Sequence, residues 1–209
     1  MKKSIMGGND TMQRWLFFDL GSTLLDETGR VDERIHETAR ALQTDPVVFR
    51  RQLEQIAKTN PYAIHMELPN GASWSPWPKR LDPLYPDAVP VLEVLNKKYP
   101  LGVIANHGKD TAKQLGLDTY FTVYTASEAA GCKKPDPRIF QMALTQANCD
   151  PKNAIMIGDR LDNDIYPAKK LGMQTIWIKQ GFGGMTTPPS EEYTADFEVA
   201  SLPELLRIL

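Results

Sequence analysis

Short, unbroken runs of apolar residues recur along the chain, and each is followed by turn or polar residues. The first run, Trp-Leu-Phe-Phe at residues 15–18, leads directly into Asp19, after which Gly21 and Ser22 turn the chain. A continuous apolar run bounded by turn residues indicates a buried strand. Strands that are apolar on both faces belong to parallel sheets that are covered on both sides.

The second half of the chain alternates such runs with segments of helical periodicity, which favours an α/β fold with a parallel sheet. Further strands are predicted at 101–105, 121–125, 154–157 and 174–178, with an edge strand at 197–200. Helices are predicted after Asp87, at 111–117, from Pro137 onward, at 164–171 and at 202–209. Asp136 followed by Pro137 is a typical helix start, with a capping residue before a first-turn proline.

Residues 27–84 break this alternation. Apolar positions at helical spacing predict a helix over 31–43, and Asp45 before Pro46 predicts the start of a second one. A third short helical piece is expected at 62–68, and the many prolines that follow argue against further regular structure. We therefore expect a small helical insert at 27–84 within a core formed by 12–26 and 85–209. Residues 1–11 are expected to be a polar tail, with Met12 as an alternative start.

Polar residues follow several of the predicted strands. Asp19 and Asn106 come directly after the runs that end at 18 and 105, and Asp159 follows the run that ends at 157 after one glycine. Lys134 precedes the proline-flanked cap at 136. In open α/β sheets, ligands bind beyond the carboxyl ends of the strands. The alternative for Asp19 is a residue that only caps the following turn.

The order of these segments resembles the haloacid dehalogenase-like hydrolases, which are mostly Mg²⁺-dependent phosphatases. The resemblance runs from about Trp15 to the C-terminus, and its most specific parts are Lys134-Pro135-Asp136-Pro137 and the segment from Gly158-Asp159 to Asp164. It implies a doubly wound, Rossmann-like parallel sheet, and it implies that residues 27–84 form a small helical cap over the active site.

The resemblance also implies the role of each site residue. Asp19 would be the nucleophile that forms an aspartyl-phosphate, and Lys134 would pair with it and with the phosphoryl oxygens. Mg²⁺ prefers oxygen ligands. Its expected ligands and supporting residues are Asp19, the backbone carbonyl of Gly21, Asp159 and Asp164. Asn106, Lys134 and the position of Ala105 are expected to contact the phosphate.

Three of these positions have alternatives. Lys133 competes with Lys134, although the Lys-Pro-Asp-Pro register favours Lys134. Asp164 is also placed to be the N-cap of the following helix, and Asn106 is equally consistent with a turn residue before Gly108.

Two positions depart from the family pattern. Gly21 stands where the family has an aspartate that acts as general acid and base, and Ala105 stands where it has a serine or threonine that donates to the phosphate. A general acid contributes about 10²–10⁴-fold to a rate, and one donor aimed at developing charge contributes about 10²–10³-fold. His107 is a candidate substitute for the acid, and Asp26 is a weaker one.

The remaining tryptophan, histidine and cysteine candidates are better explained by structural than by catalytic roles. Trp74 and Trp77, near Lys79 and Arg80, either grip an anionic, ring-bearing substrate or anchor an irregular loop, and the burial of large aromatic side chains favours anchoring. His36 and His65 lack a metal-ligand spacing and are expected at the surface. Cys132 and Cys149 are the two cysteines, which predicts reduced thiols and no disulfide framework.

Composition excludes several function classes. The 209 residues carry a formal net charge of -2, which provides no electrostatic footprint for nucleic acid or an anionic membrane. No apolar segment reaches the length of a membrane span, and Gly7-Gly8-Asn9-Asp10 stands where a signal peptide would need an apolar core. We therefore expect a cytoplasmic protein with neither nucleic acid nor membrane as a partner.

The leading interpretation is an Mg²⁺-dependent phosphatase of small phosphorylated metabolites with altered acid/base machinery. The main alternative, favoured by Gly21 and Ala105, is a module that binds phosphate or a phosphorylated ligand without turnover. Dehalogenation of a small acid is a third possibility. Because the family's dehalogenases do without Mg²⁺, Asp159 and Asp164 argue against it.

Overall fold

The computed structural model describes residues 13–68 and 71–209, so the expected tail at 1–11 lies outside the described residues. Six strands form one sheet in the order β3-β2-β1-β4-β5-β6, and all neighbouring strands are parallel. The strands are β1 (Trp15–Phe18), β2 (Leu101–Ala105), β3 (Phe121–Ala126), β4 (Ala154–Gly158), β5 (Gln174–Ile178) and β6 (Phe197–Val199). The predicted α/β fold class is confirmed.

Helices connect these strands on both faces of the sheet. They are α1 (Thr28–Ala41), α2 (Pro46–Ala57), α3 (Ala88–Leu95), α4 (Thr111–Gln114), α5 (Ser127–Ala130), α6 (Pro137–Gln146) and α7 (Tyr166–Lys170). A π-helical turn, Leu161–Ile165, precedes α7, and the closing segment Leu202–Arg207 is a 3₁₀ helix rather than the expected α-helix. Among the described residues, no helix combines the length and the apolar character that crossing a membrane would require.

The core lies on both faces of β1, as its unbroken apolar sequence predicts. Leu16 and Phe18 belong to one buried cluster with α3, whereas Phe17 belongs to a second cluster with Phe140 of α6. Alternate side chains of a strand point to opposite faces, so β1 is buried on both sides. The free thiols of Cys132 and Cys149 are partly buried at the edge of the second cluster.

The direction of winding changes at β1, which pairs with β2 on one side and β4 on the other. Phe18 lies opposite Ile157, and the backbone N–H of Asp19 donates to the carbonyl of Ile157 at 2.9 Å. Crevices at such switch points are where ligands bind in open α/β sheets. The register therefore brings the residues after β1 and β4 together at one point of the sheet edge.

Between β1 and β2, α1 and α2 pack against each other around a separate apolar cluster that includes Ile35, Leu53 and Phe182. Helix α1 begins earlier than predicted because Asp26 accepts from the backbone N–H of Thr28. The helix expected at 62–68 is wrong: this stretch consists of turns, a bend and irregular chain, with the Asn60 side chain accepting from the N–H of Tyr62.

The irregular return of the chain is anchored by aromatic side chains around one buried cation. The guanidinium carbon of Arg34 lies 4.6 Å from the ring centroid of Trp74 and 4.1 Å from that of Trp77. Its nitrogens donate to the carbonyls of Ser75 and Ile64 at 2.9 and 2.8 Å. The structure thus supports the anchoring interpretation of the two tryptophans over the substrate-gripping one.

Candidate active site

A cavity of about 420 Å³ lies between the carboxyl edge of the sheet and the helical insert. Asp19, Gly21 and Asp159 line it from the sheet side, and Glu27 and His65 line it from the insert. This volume falls within the range of small-molecule sites, and the cavity coincides with the switch point at β1.

The side chain of Lys134 joins two carboxylates at the base of this cavity. Its Nζ lies 2.6 Å from Oδ1 of Asp19 and 2.6 Å from Oδ1 of Asp164. Burial lowers the pKa of Lys134, but the charges of Asp164 and Asp19 outweigh that effect and raise it. The two ion pairs therefore favour the charged form of this buried lysine beside Asp19. Lys133, the competing candidate, is exposed.

Asn106 holds Lys134 in place. Its side-chain oxygen accepts from the backbone N–H of Lys134 at 2.8 Å, and its side-chain nitrogen donates to the carbonyl of the same residue at 3.1 Å. These two hydrogen bonds give the amide after β2 a structural role that requires no phosphate. The predicted contact between Asn106 and phosphate stays a prediction. Ala105 is fully buried at the last position of β2, where it presents only a methyl group.

Asp19, Asp159 and Asp164 form a compact, buried set of carboxylates whose closest oxygens all lie within 4.8 Å of one another. Burial, and then the charges of Asp164 and Asp19, raise the pKa of Asp159 well above its ordinary value. Burial raises the pKa of Asp164 to about 6, although Lys134 opposes this shift. Three carboxylates with one ammonium group, all buried, leave a surplus of negative charge that a divalent cation would neutralise.

The position of Asp164 corrects the N-cap alternative. Asp164 lies inside the π-helical turn, and its Oδ2 accepts from the backbone N–H of Arg160 at 3.1 Å while Oδ1 faces Lys134. The sequence before it makes room for this arrangement, because a Cβ at Gly158 would lie 2.5 Å from Cγ of Asp164. The glycine at position 158 is thus required for Asp164 to pack at this place in the carboxylate set.

The space beside Gly21 is occupied by residues from two other segments. A Cβ at Gly21 would lie 3.0 Å from Oε2 of Glu27 and 3.1 Å from Cε1 of His107. Sequence reasoning missed Glu27, because the first helix of the insert was predicted to begin only at residue 31 and nothing in the pattern indicates that the Glu27 side chain folds back toward Gly21. The available signal in the sequence was the glycine at position 21, where the family pattern has an aspartate, because it leaves a space that a neighbouring side chain can fill.

The two substitutes for the acid named from the sequence differ in placement. His107 lines the cavity, and its Nδ1 is buried with no hydrogen-bond partner among the described residues. The Asp26 carboxylate accepts from the N–H of Thr28 at the start of α1. Asp26 is not among the described residues that line the cavity. The geometry therefore favours His107 over Asp26.

Comparison with known proteins connects this geometry to a family. A family model described as haloacid dehalogenase-like hydrolase matches residues 78–178. A glyceraldehyde 3-phosphate phosphatase of Pyrococcus furiosus is 41% identical over 123 residues, which are 57% of this chain and 51% of that protein. A phosphoserine phosphatase of Thermus thermophilus is 31% identical over 132 residues, which are 61% of this chain and 51% of that protein. The chain thus spans about half the length of these relatives.

Solved structures match over nearly the whole chain. A HAD phosphatase from Thermococcus onnurineus superposes with a TM-score of 0.59 at 24% identity, covering 94% of this chain and 97% of that one. A 2-haloacid dehalogenase from Pseudomonas syringae pv. Tomato superposes with a TM-score of 0.62 at 25% identity, covering 94% and 98%. These matches and the sheet order show that the chain has the fold of the haloacid dehalogenase-like hydrolases, and residues 78–178 are similar to that family in sequence.

Proposed function

We propose that the protein is an Mg²⁺-dependent phosphatase that hydrolyses small phosphorylated molecules through an aspartyl-phosphate on Asp19. The names of the relatives support a phosphoric monoester hydrolase. The observation that carries the proposal is the buried ion pair of Asp19 with Lys134, beside Asp159 and Asp164. A carboxylate nucleophile next to a fixed cation and further carboxylates is the equipment that phosphoryl transfer requires.

In the first half of the reaction, a carboxylate oxygen of Asp19 forms a bond to phosphorus as the bond to the leaving-group oxygen breaks. Lys134 is held 2.6 Å from Asp19, so its charge stabilises the negative charge on the transferring oxygens without moving. In the second half, water attacks the same phosphorus and the carboxylate of Asp19 is restored. Splitting the hydrolysis into two displacements replaces one difficult step by two easier ones.

The donor set fits Mg²⁺, which takes hard oxygen ligands. Asp19, Asp159 and the carbonyl of Gly21 would hold the ion, with Asp164 supporting both the ion and Lys134. When bound, Mg²⁺ neutralises charge on the transferring phosphoryl group.

The helical insert is proposed to act as a cap that limits substrate size. Its residues that line the cavity include Val31, Arg50 and His65. Arg50 is paired with Asp32 and Glu54, so its charge is already compensated. A cavity of about 420 Å³ with these walls suits a small metabolite rather than a polymer.

A binding module without turnover is the second candidate. It is favoured by Gly21 and by the methyl group of Ala105 at the end of β2, since both positions lack a side chain that acts on the phosphoryl group. Such a module would bind phosphate and a divalent cation but release no product. Dehalogenation is disfavoured by the additional carboxylates Asp159 and Asp164.

A screen of phosphorylated metabolites with Mg²⁺ tests the proposal, with wild type, Asp19→Asn and the exposed control Asp118→Asn assayed in parallel. We expect wild type and the control to release phosphate from a subset of compounds, and Asp19→Asn to release none. Binding of a phosphorylated compound by calorimetry without release would favour the binding module. Halide release from small haloacids without any phosphate release would contradict both.

A further inference from the structure

We infer that Glu27 is the general base that activates water in the second half of the reaction, in place of the carboxylate that position 21 lacks. This inference rests on the proposed phosphatase function. It assigns a residue of the insert to the catalytic machinery, whereas Asp19, Lys134, Asp159 and Asp164 all belong to the core.

The first observation is location. The two atoms nearest to a Cβ at Gly21 are Oε2 of Glu27 at 3.0 Å and Cε1 of His107 at 3.1 Å, and Cδ of Glu27 follows at 3.2 Å. A carboxylate thus borders the space that an aspartate side chain at position 21 would use. Glu27 and Asp19 line the same cavity, so this carboxylate faces the place where the phosphoryl group would be held.

The second observation is that the carboxylate is held in one orientation. Oε2 of Glu27 accepts from the hydroxyl of Ser22 at 2.9 Å, and Oε1 accepts from Nη2 of Arg30 at 2.7 Å. Ser22 has a left-handed backbone (φ 52°), which is uncommon for a residue with a side chain and directs this turn toward the insert. The loop that carries the nucleophile therefore positions Glu27 directly.

The third observation distinguishes the Glu27–Arg30 ion pair from an ordinary surface ion pair. A pairing of residues three apart on a helix contributes little when it is exposed. Here Nη2 of Arg30 also lies 2.6 Å from Oδ2 of Asp82, which is only 4% exposed, and Arg30 stacks on Trp77 at 5.2 Å. This second anchor fixes Arg30 and, through it, the Glu27 carboxylate.

The chemistry of the step is balanced by groups of this chain and water. The oxygen of a water molecule forms a bond to phosphorus, the bond between phosphorus and the Asp19 oxygen breaks, and its electron pair restores the Asp19 carboxylate. One proton of that water moves to Oε2 of Glu27, and inorganic phosphate leaves. Glu27 then returns the proton to solvent through the cavity.

Both neighbours of Glu27 donate to it, so the structure presents this carboxylate as an acceptor. A base for water needs an acceptor, whereas an acid for the leaving group needs a donor. The inferred role is therefore confined to the second half of the reaction, and the departure of the leaving group in the first half is not assisted by Glu27.

Pre-steady-state kinetics with p-nitrophenyl phosphate and Mg²⁺ separates the two halves. In Glu27→Gln we expect a full burst of p-nitrophenolate, one per chain, followed by steady-state turnover reduced by about 10²–10⁴-fold. Trapped aspartyl-phosphate should accumulate on Asp19 in this variant. The matched control is Glu33→Gln on the same helix, since Glu33 pairs with Arg80 away from the cavity and should behave as wild type.

A relocation variant tests the shared position. Glu27→Ala removes the atoms nearest to Gly21, so Gly21→Asp combined with Glu27→Ala places a carboxylate in the vacated space. We expect the double variant to recover at least about tenfold of the turnover lost in Glu27→Ala. A double variant no faster than Glu27→Ala would contradict the shared location.

The outcomes distinguish this inference from the proposed function. If wild type turns over and the kcat of Glu27→Gln stays within about twofold of the wild-type value, the role of Glu27 is overturned and the proposed phosphatase function is retained. If burst and steady state fall together, Glu27 does not act in the second half and the inference is overturned as well. If wild type neither releases phosphate nor labels Asp19, the proposed function fails and the inference fails with it.

Discussion

At the scale of single residues, the site is an arrangement of buried charges that compensate one another. Lys134 is 2% exposed and touches two carboxylates, so it replaces the water that Asp19 and Asp164 would need. Removing one partner of a buried ion pair leaves the other charge uncompensated, and this costs more than the pair contributes.

Lys134→Met is accordingly expected to lower the free energy of unfolding by about 3 kcal/mol when it is measured with urea at pH 7 in the presence of a chelator. Lys133→Met, at the adjacent exposed position, should change it by no more than about 0.5 kcal/mol. Equal stability of the two variants would show that the charge of Lys134 is not needed to hold the carboxylates.

The missing acid at Gly21 leads to a prediction about substrates. Alkoxide leaving groups need a proton, whereas p-nitrophenolate does not, so kcat/KM for p-nitrophenyl phosphate should exceed that for an alkyl phosphate by at least about 10²-fold. His107→Ala should leave this ratio unchanged. A wild type that prefers alkyl phosphates, together with a ratio that rises in His107→Ala, would instead identify His107 as the proton donor.

The environment of Gly21 also determines what limits its replacement by a larger residue. Gly21 is absent from the glycines with positive φ, so its backbone accepts a side chain, and the obstacle is contact with Glu27 and His107. Gly21→Asp alone is therefore expected to be impaired by crowding, which is why the relocation variant removes Glu27 first.

At the scale of elements, the insert is held together by a cation within a group of aromatic side chains. Arg34 of α1 donates to two carbonyls of the irregular return and contacts two tryptophan rings, and only 8% of its surface is exposed. Its planar fork of donors matches this arrangement in a way that a lysine ammonium does not.

We expect Arg34→Lys to destabilise the fold by about 2 kcal/mol, because one charged hydrogen bond and the ring stacking are lost. Chemical denaturation monitored by tryptophan fluorescence measures this effect. Arg40→Lys, an exposed substitution on the same helix, serves as the control and should be neutral. Matching midpoints for the two variants would mean that the return is anchored without Arg34.

The elements also indicate how far the sequence alone predicts this molecule. Apolar runs identified all six strands, and proline after aspartate identified the starts of α2 and α6. The segment 62–68 was misjudged because its apolar spacing resembles a helix while local side-chain hydrogen bonds favour turns.

Within the site, too, some features could be predicted from the sequence and others could not. The proximity of Asp19 and Asp159 could be predicted from the sequence because parallel pairing places strand ends together, a rule that needs no coordinates. Glu27 was missed because its side chain reaches the site through Ser22 and Arg30, contacts that depend on how the insert folds back.

At the scale of the whole molecule, the negative charges of Asp19, Asp159 and Asp164 repel one another and destabilise the fold, and a bound cation would neutralise them. A carboxyl group whose pKa is raised in the folded state, as for Asp159, costs stability when it is ionised at neutral pH, since the unfolded chain ionises it more readily. Binding of Mg²⁺ to the folded state alone should reverse this cost.

Mg²⁺ is therefore expected to raise the melting temperature. At a concentration 100 times its dissociation constant, it should raise the free energy of unfolding by about 2.7 kcal/mol. Asp159→Asn should melt higher than wild type in the presence of a chelator and should lose most of the response to Mg²⁺. Differential scanning calorimetry of both proteins provides the check, and an unchanged Mg²⁺ response in Asp159→Asn would show that the ion binds elsewhere.

The proposed phosphatase function depends most on Asp19 carrying the phosphoryl group during the reaction. Wild type is mixed with p-nitrophenyl phosphate and Mg²⁺, quenched in acid within the first turnovers, and digested for mass spectrometry. We predict one phosphoryl group on the peptide that contains Asp19, dependent on Mg²⁺ and absent from Asp19→Asn. Phosphate release with no label on that peptide, or undiminished release by Asp19→Asn, would contradict the account.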